Sequence, residues 1–314
     1  NTYVLANVLR DTLKKGDEII VTNQDHEANS GVWRRLESAG VVVREWRVDP
    51  ESGSLDTAQL ENLLGEKTRY LMFPHCSNIL GEINPLAKIT AMARSAGALS
   101  IVDGVSFAGH GLPDVPSTGA DIYLFSSYKT FGPHQGVMVI RPEVVARLGN
   151  QGHFFNAAFR EKCLTPAGPD HAQVAALRGI ADYFDAVYEF HRDASENLNK
   201  AAMLRQLFHE AENARLERLM GYLRDNKKLR IVGPADAEQR APTVSVVPNN
   251  CSPLELVEKL ARHGVMCGAG HFYSYRLMEA LGIDPQRGVT RFSFVHYATD
   301  EEIDQLIEAL EQEL

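Results

Sequence analysis

Hydrophobic positions along this chain alternate between two rhythms. Over Thr2 to Lys14, Val4, Leu5, Val8, Leu9 and Leu13 recur at helical spacing, and Gly16 stops the run. The next segment, Asp17 to Val21 (DEIIV), is short and apolar without a helical period, which predicts a strand. The exchange then repeats. A helix over Gly31 to Ala39 precedes a strand over Val41 to Val48. Asp56 closes the loop DPESGSLD and reads as the N-cap of a helix through Leu64, followed by a strand over Arg69 to Phe73. Pro85 opens a helix through Ala96, and Gly97 leads into the apolar run Ala98 to Val102. Ile122 to Phe125 is a further strand, and Gly136 to Ile140 reads as its antiparallel hairpin partner. Short apolar runs of this kind suit strands buried on both faces, and the alternation predicts an open α/β sheet.

The pattern changes after residue 149. Asn150 to Asp170 is polar-aromatic and without period, as a functional loop or an interface element would be. Ala172 to Tyr188 is predicted helical, and so is the long stretch Asn197 to Arg224, whose heptad is not sustained enough for a coiled coil. Strands near Arg230 to Val232, Thr243 to Val247 and Gly288 to Tyr297, with helices at Pro253 to His263 and Asp300 to Glu313, predict a second, smaller α+β layer. The expected division is 1–210 and 211–314.

The candidate chemistry lies at strand ends. The run Ala98 to Val102 delivers Asp103, and Ile122 to Phe125 delivers Ser126, Ser127 and Lys129. In open α/β sheets ligands gather at the carboxyl ends of strands. An acid and a lysine so placed suggest a cofactor held between them, the acid facing a heteroaromatic nitrogen and the lysine forming a Schiff base with an aldehyde. For Asp103 a helix N-cap is the common alternative, and for Lys129 a solvated surface charge.

VDGVSFAGHGLPDV followed by DIYLFSSYKTFGPHQGV resembles the class V aminotransferases, which use pyridoxal phosphate (PLP), and within them the cysteine desulfurase and selenocysteine lyase branch. The resemblance covers nearly the whole chain. It implies the type I fold of PLP-dependent enzymes: a large domain with a mainly parallel, seven-stranded-type sheet between helices, and a smaller C-terminal domain. It places a phosphate-binding loop and a further segment ahead of Asn1. It implies that Lys129 carries the cofactor, that Asp103 keeps the pyridine nitrogen protonated, and that His26 stacks on the ring. A turn-capping role is the alternative for His26. Asn78, in Pro74-His75-Cys76-Ser77-Asn78-Ile79-Leu80-Gly81, would bond the phenolic oxygen, with His75 beneath it; an Asx-turn is equally in keeping with Asn. Ser106 stands where many desulfurases carry Gln, and Tyr128 where they commonly carry His. Ser126 and Tyr128 would serve the phosphate. His171 would reach a partner's phosphate across a dimer interface, or simply begin a helix. Arg291, in Thr290-Arg291-Phe292-Ser293-Phe294, would clamp the substrate carboxylate, a task suited to its planar fork.

The cysteine that desulfurases of the mobile-loop type use is not matched. Anchoring on Gly270-His271 puts Tyr273 at its place, and Cys267 reads as structural. The expected activity is cysteine desulfurase-like carbon–sulfur cleavage. A β-lyase, epimerase or aminotransferase, or a scaffold without turnover, are the alternatives. Composition narrows the setting. A net charge of −9 over 314 residues argues against nucleic acid or an anionic membrane as partner. No apolar run approaches a membrane span. Four cysteines without C-x-x-C spacing fit a reducing cytoplasm, and no metal-ligand set is expected. A small amino acid is the expected substrate. The resemblance adds a homodimer and a sulfur-acceptor protein as partners.

Overall fold

The structure is a computed structural model that describes residues 1–192 and 199–314. Its first half is a six-stranded sheet of order β2-β1-β3-β4-β5-β6. The strands are β1 (Glu18–Thr22), β2 (Val42–Trp46), β3 (Thr68–Pro74), β4 (Leu99–Asp103), β5 (Ile122–Ser126) and β6 (Gly136–Ile140). β2 to β5 pair parallel through β1, β3 and β4, and β6 returns antiparallel to β5, as its hairpin position predicts. The sheet has six strands among the described residues, where seven were expected. After β6 the segment 149–170 forms one-turn 3-10 helices at Phe154–Asn156 and Arg160–Lys162 instead of pairing with the edge.

Alternate residues of β1, β3, β4 and β5 enter different cores, which is why these strands read as continuous apolar runs. Ile20, Leu71, Phe73, Val102 and Tyr123 pack with Leu86, Ile89 and Ala93 of helix Leu86–Ser95. Ile19, Val21, Tyr70, Met72, Ile101, Ile122 and Leu124 pack with Leu5 and Leu9 of helix Thr2–Thr12 and with Trp33. Asp56 caps helix Thr57–Leu63, accepting the Ala58 N–H at 2.8 Å. The helix expected over Gly31 to Ala39 tightens into a 3-10 turn from Arg35, and the one expected over Ala172 to Tyr188 breaks at Leu177.

The second sheet has the order β7-β8-β10-β9, all antiparallel: β7 (Leu229–Val232), β8 (Thr243–Pro248), β9 (Gly268–Gly270) and β10 (Val289–Ser293). Sequence pattern does not announce β9, which is Gly-Ala-Gly, or the short helix Tyr275–Ala280. β10 ends at Ser293, not at Tyr297, because the chain then leaves the ladder and His296 and Tyr297 join an aromatic cluster with Phe208 and Phe131. We label helix Lys200–Asp225 α1; it joins the two halves. Its Leu204 and Phe208 pack with Phe184, while Leu216, Leu219, Met220 and Leu223 join the core of the small sheet. The expected start of this helix at Asn197 and Leu198 lies outside the described residues. Ser245 Oγ of β8 donates to the Ile79 carbonyl at 2.7 Å, docking the small sheet on the turn after β3.

Candidate active site

Strand order reverses around β1 and β3, and the parallel strands there point their carboxyl ends at one cavity of about 690 Å³. Asn78, Ser106, Tyr128, Lys129 and Arg291 line it. β3 delivers Asn78, β4 delivers Asp103 and then Ser106, β5 delivers Tyr128 and Lys129, and β10 of the small sheet carries Arg291.

Lys129 sits in a 3-10 turn, Ser127–Thr130, that is tightly made. Ser127 Oγ donates to the Gln135 carbonyl at 2.9 Å, Thr130 Oγ1 donates to the Ser127 carbonyl at 3.0 Å, and Phe131 closes the turn in the left-handed region at φ 68°. A bulky residue in that region is strained, and such strain is held where the surroundings over-determine it. No carboxylate lies within ion-pairing distance of Lys129 among the described residues. Burial, then the Arg291 cation, lowers the Lys129 pKa, against an opposing pull from Asp103. Asp103 is held above the usual carboxylate range by burial, opposed by the Val105 N–H, 2.9 Å away, and by the Lys129 charge. Each group's charge acts on the other, although Asp103, like His26, lies outside the cavity lining. An amine that sheds its proton readily and a buried carboxylate are what a carbonyl-bearing heteroaromatic ring requires.

Arg291 has no acidic partner among the described residues. Its Nη1 donates to the Asn78 carbonyl at 2.9 Å, and its guanidinium carbon stands 3.8 Å from the centre of the Phe272 ring. Burial lowers its pKa, against the opposing effect of Tyr128. The stack covers one face of the guanidinium and leaves in-plane donors for an anion. Phe272 belongs to a latched loop. Asn78 Nδ2 donates to the Phe272 carbonyl at 2.9 Å, Ser274 Oγ donates to Asn78 Oδ1 at 2.7 Å, and the Glu27 N–H donates to the Tyr273 carbonyl at 2.8 Å. These bonds offset two consecutive left-handed residues, Phe272 at φ 44° and Tyr273 at φ 62°. Asn78 thus spends one amide hydrogen and its oxygen on the loop and retains one N–H.

His26 makes the turn-capping contact considered for it. Its Nδ1 accepts the Ala28 N–H at 3.1 Å, and its ring faces Tyr273 with centres 5.1 Å apart. Burial and then the Lys129 cation lower its pKa, which places it in the same field. His75 is buried outside the cavity lining: its Nδ1 pairs with the Tyr123 hydroxyl at 2.8 Å, its ring stacks on Phe107 at 3.7 Å, and burial takes its pKa down to about 4. Tyr128 stacks on His134 at 4.7 Å. Ser126 pairs with Gly136 at the end of β5 and caps the lysine turn, outside the cavity lining. His171 is exposed at the start of a helix capped by Asp170, and within the chain it is not brought to the cavity. Sequence reasoning passed over Phe272 and Ser274, and over His110 and Gly109, which also line or back the cavity.

An amine with a lowered pKa, a half-buried acid and a half-buried guanidinium thus gather near the strand ends of an open α/β sheet. The chain belongs to the aminotransferase class-V family, whose model matches residues 1–306. It is 36% identical over 313 residues to the aminotransferase-like protein FGM3 of Gibberella zeae, covering 96% of this chain and 74% of that protein. It is 28% identical over 317 residues to a cysteine desulfurase of Pectobacterium carotovorum, covering 96% of this chain and 72% of the relative. Among solved structures, the cysteine desulfurase CsdA of Escherichia coli superposes with a TM-score of 0.82 at 23% identity, over 99% of this chain and 75% of that one. The cysteine desulfurase of Thermococcus onnurineus gives 0.85 at 23% identity, over 99% and 76%. These likenesses establish the fold of the PLP-dependent cysteine desulfurases, and the class V and cysteine desulfurase families depend on PLP. No helix among the described residues is long and apolar enough to cross a membrane.

Proposed function

We infer that the cavity is the site of a PLP-dependent transformation of an α-amino acid, of the cysteine desulfurase-like kind: cleavage of the carbon–sulfur bond of L-cysteine or a related amino acid. The observation that carries this reading is the cavity shared by Lys129 and Arg291, with the half-buried Asp103 carboxylate close enough to act on the Lys129 charge. These groups fit PLP. Lys129 would bind its aldehyde carbon, Asp103 would face the pyridine nitrogen, and His26 would lie against the ring. The free Asn78 N–H and the Ser106 hydroxyl suit the phenolic oxygen. Tyr128 suits the phosphate, which Ser126 would reach only from outside the present cavity lining, with His171 reaching a partner's phosphate. PLP when bound supplies an electron sink for the substrate carbanion. Arg291 holds the substrate carboxylate in the plane left open beside Phe272. The Lys129 amine would take and return the α-proton, as an amine with a lowered pKa can near neutral pH.

The thiols favour elimination without a protein persulfide. Burial pushes Cys267 up to about 11 and Cys76 up to about 12, and it raises Cys251 too. Cys267 and Cys76, held so far above neutrality, are poor nucleophiles. Tyr273 occupies the position where a loop cysteine would stand, in a latched segment. A cytoplasmic homodimer belongs to the same reading, whereas a sulfur-acceptor protein would belong only to a persulfide route. The exposed Phe154, Phe155 and Phe190, at 88%, 64% and 84%, support the dimer. The division at 210/211 falls within α1, between its two packing clusters. The test is incubation with PLP and L-cysteine, scoring sulfide, alanine, pyruvate and ammonia. Sulfide should form, with pyruvate and ammonia, and should persist in Cys267→Ala. Turnover surviving Lys129→Ala would overturn the reading.

A further inference from the structure

One turn of α1 touches both halves of the site. Glu212 is buried, and its Oε2 meets His110 Nδ1 at 2.9 Å. His110 lines the cavity, and its neighbour Gly109 backs directly onto the lysine turn: a Cβ there would stand 2.4 Å from the Lys129 carbonyl oxygen. Four residues before Glu212, Phe208 stacks on His296 with ring centres 3.5 Å apart and planes 10° apart. His296 lies on the segment that continues from β10, the strand of Arg291. Its Nε2 meets the Tyr183 hydroxyl at 2.6 Å, and Phe131, two residues beyond Lys129, packs against both rings at 5.3 Å and 5.2 Å. Helix α1 therefore holds the backbone behind Lys129 and the exit of the strand that carries Arg291.

Stability does not explain the polar groups at this joint. Glu212 Oε1 and His296 Nδ1 are buried without a hydrogen-bond partner. An unpaired buried polar atom carries a desolvation penalty, and apolar side chains of similar volume often serve such a place as well or better. Phe184 and Leu204 already make the surroundings apolar. What an apolar contact lacks is direction. A hydrogen bond between helix and turn fixes their register, whereas apolar surfaces slide.

We propose that His110 and Glu212 are positioning residues, whose hydrogen bond registers the Lys129 turn against the Arg291 strand. This rests on the reading of Lys129 as the reactive amine and goes beyond it by naming what sets its place. Lys129 senses Arg291 directly, so a lost register moves the amine away from its native field.

The test uses the full chain prepared without PLP, so its result stands apart from the cofactor reading. Each lysine is labelled by reductive methylation across a pH series and quantified by peptide mass spectrometry. The variants are the double variant His110→Leu with Glu212→Leu, and His110→Asn, which keeps a donor near the Nδ1 position. In the double variant, melting should be no lower than in the parent protein. Its Lys129 midpoint should rise toward an ordinary lysine, cutting labelling at pH 8 by about threefold or more. His110→Asn should keep the parent profile. Superimposable Lys129 profiles in a folded double variant would overturn the proposal. So would a lowered melting point with every lysine altered alike, which is the mark of a merely structural pair.

Discussion

Replacing Phe272 with Ala should separate substrate binding from chemistry. The ring lies 3.8 Å from the Arg291 guanidinium carbon, on a half-buried side chain whose one hydrogen bond is to the Asn78 carbonyl. A cation over an aromatic face is worth about 0.5–2 kcal/mol, depending on its desolvation. Without the ring, Arg291 must also be ordered when a carboxylate arrives, at about 0.5–1.5 kcal/mol. Alanine keeps the same left-handed backbone at φ 44°, so no relieved strain offsets the loss. The net effect should be about 1 kcal/mol, or roughly fivefold weaker binding of the amino-acid carboxylate. Steady-state kinetics with L-cysteine at saturating PLP should therefore show KM raised about fivefold and kcat within about twofold of the parent. Phe272→Tyr, which keeps the ring, should keep the parent KM. An unchanged KM in Phe272→Ala, or a kcat that falls as far as kcat/KM, would refute the assignment of Phe272 as the rest for Arg291.

Other outcomes follow from the same geometry. Asp103→Asn should lower turnover about 100-fold or more, as loss of a charge aimed at the reacting system does. The same change should stabilise the protein prepared without PLP: burial raises the Asp103 pKa, so the parent carries a penalty that sets in as pH rises past 3.8 and is absent below it, visible in melting temperature against pH. Lys129→Met should likewise raise the melting point of that protein at pH 7. A buried lysine with a lowered pKa costs stability while it stays protonated in the unfolded chain, so the gain should fade toward pH 10.5. Gly104→Ala would put a Cβ 2.1 Å from the Tyr123 ring carbon and hydroxyl, displacing Tyr123 from His75; denaturant unfolding should show a loss of about 1–3 kcal/mol.

The sheet was legible because its strands are buried on both faces. Ile101 and Val102, or Ile122 and Tyr123, enter different cores and leave an uninterrupted apolar run in the sequence. Asp103 and Lys129 were legible for the same reason, since each follows such a run. Contacts between distant segments were not. The Asn78–Phe272 bond joins residues 194 apart and the His110–Glu212 bond residues 102 apart, and no local pattern encodes either. Strand β9 was hidden by its glycines, and β10 was read too long because Phe294 and Tyr297 look like strand residues, while Phe294 packs on the small-sheet core beyond the ladder and Tyr297 serves the His296 cluster. The latch at Phe272 and Tyr273 was equally hidden. Its left-handed backbone is borne by aromatic residues, held by bonds to Asn78 and Glu27, where glycine or asparagine would have signalled it.

Borohydride reduction of the protein incubated with PLP, followed by peptide mapping, tests the central claim most directly. A single stable pyridoxyl adduct on Lys129 is the predicted result. An adduct on another lysine, or none at saturating PLP, would contradict it.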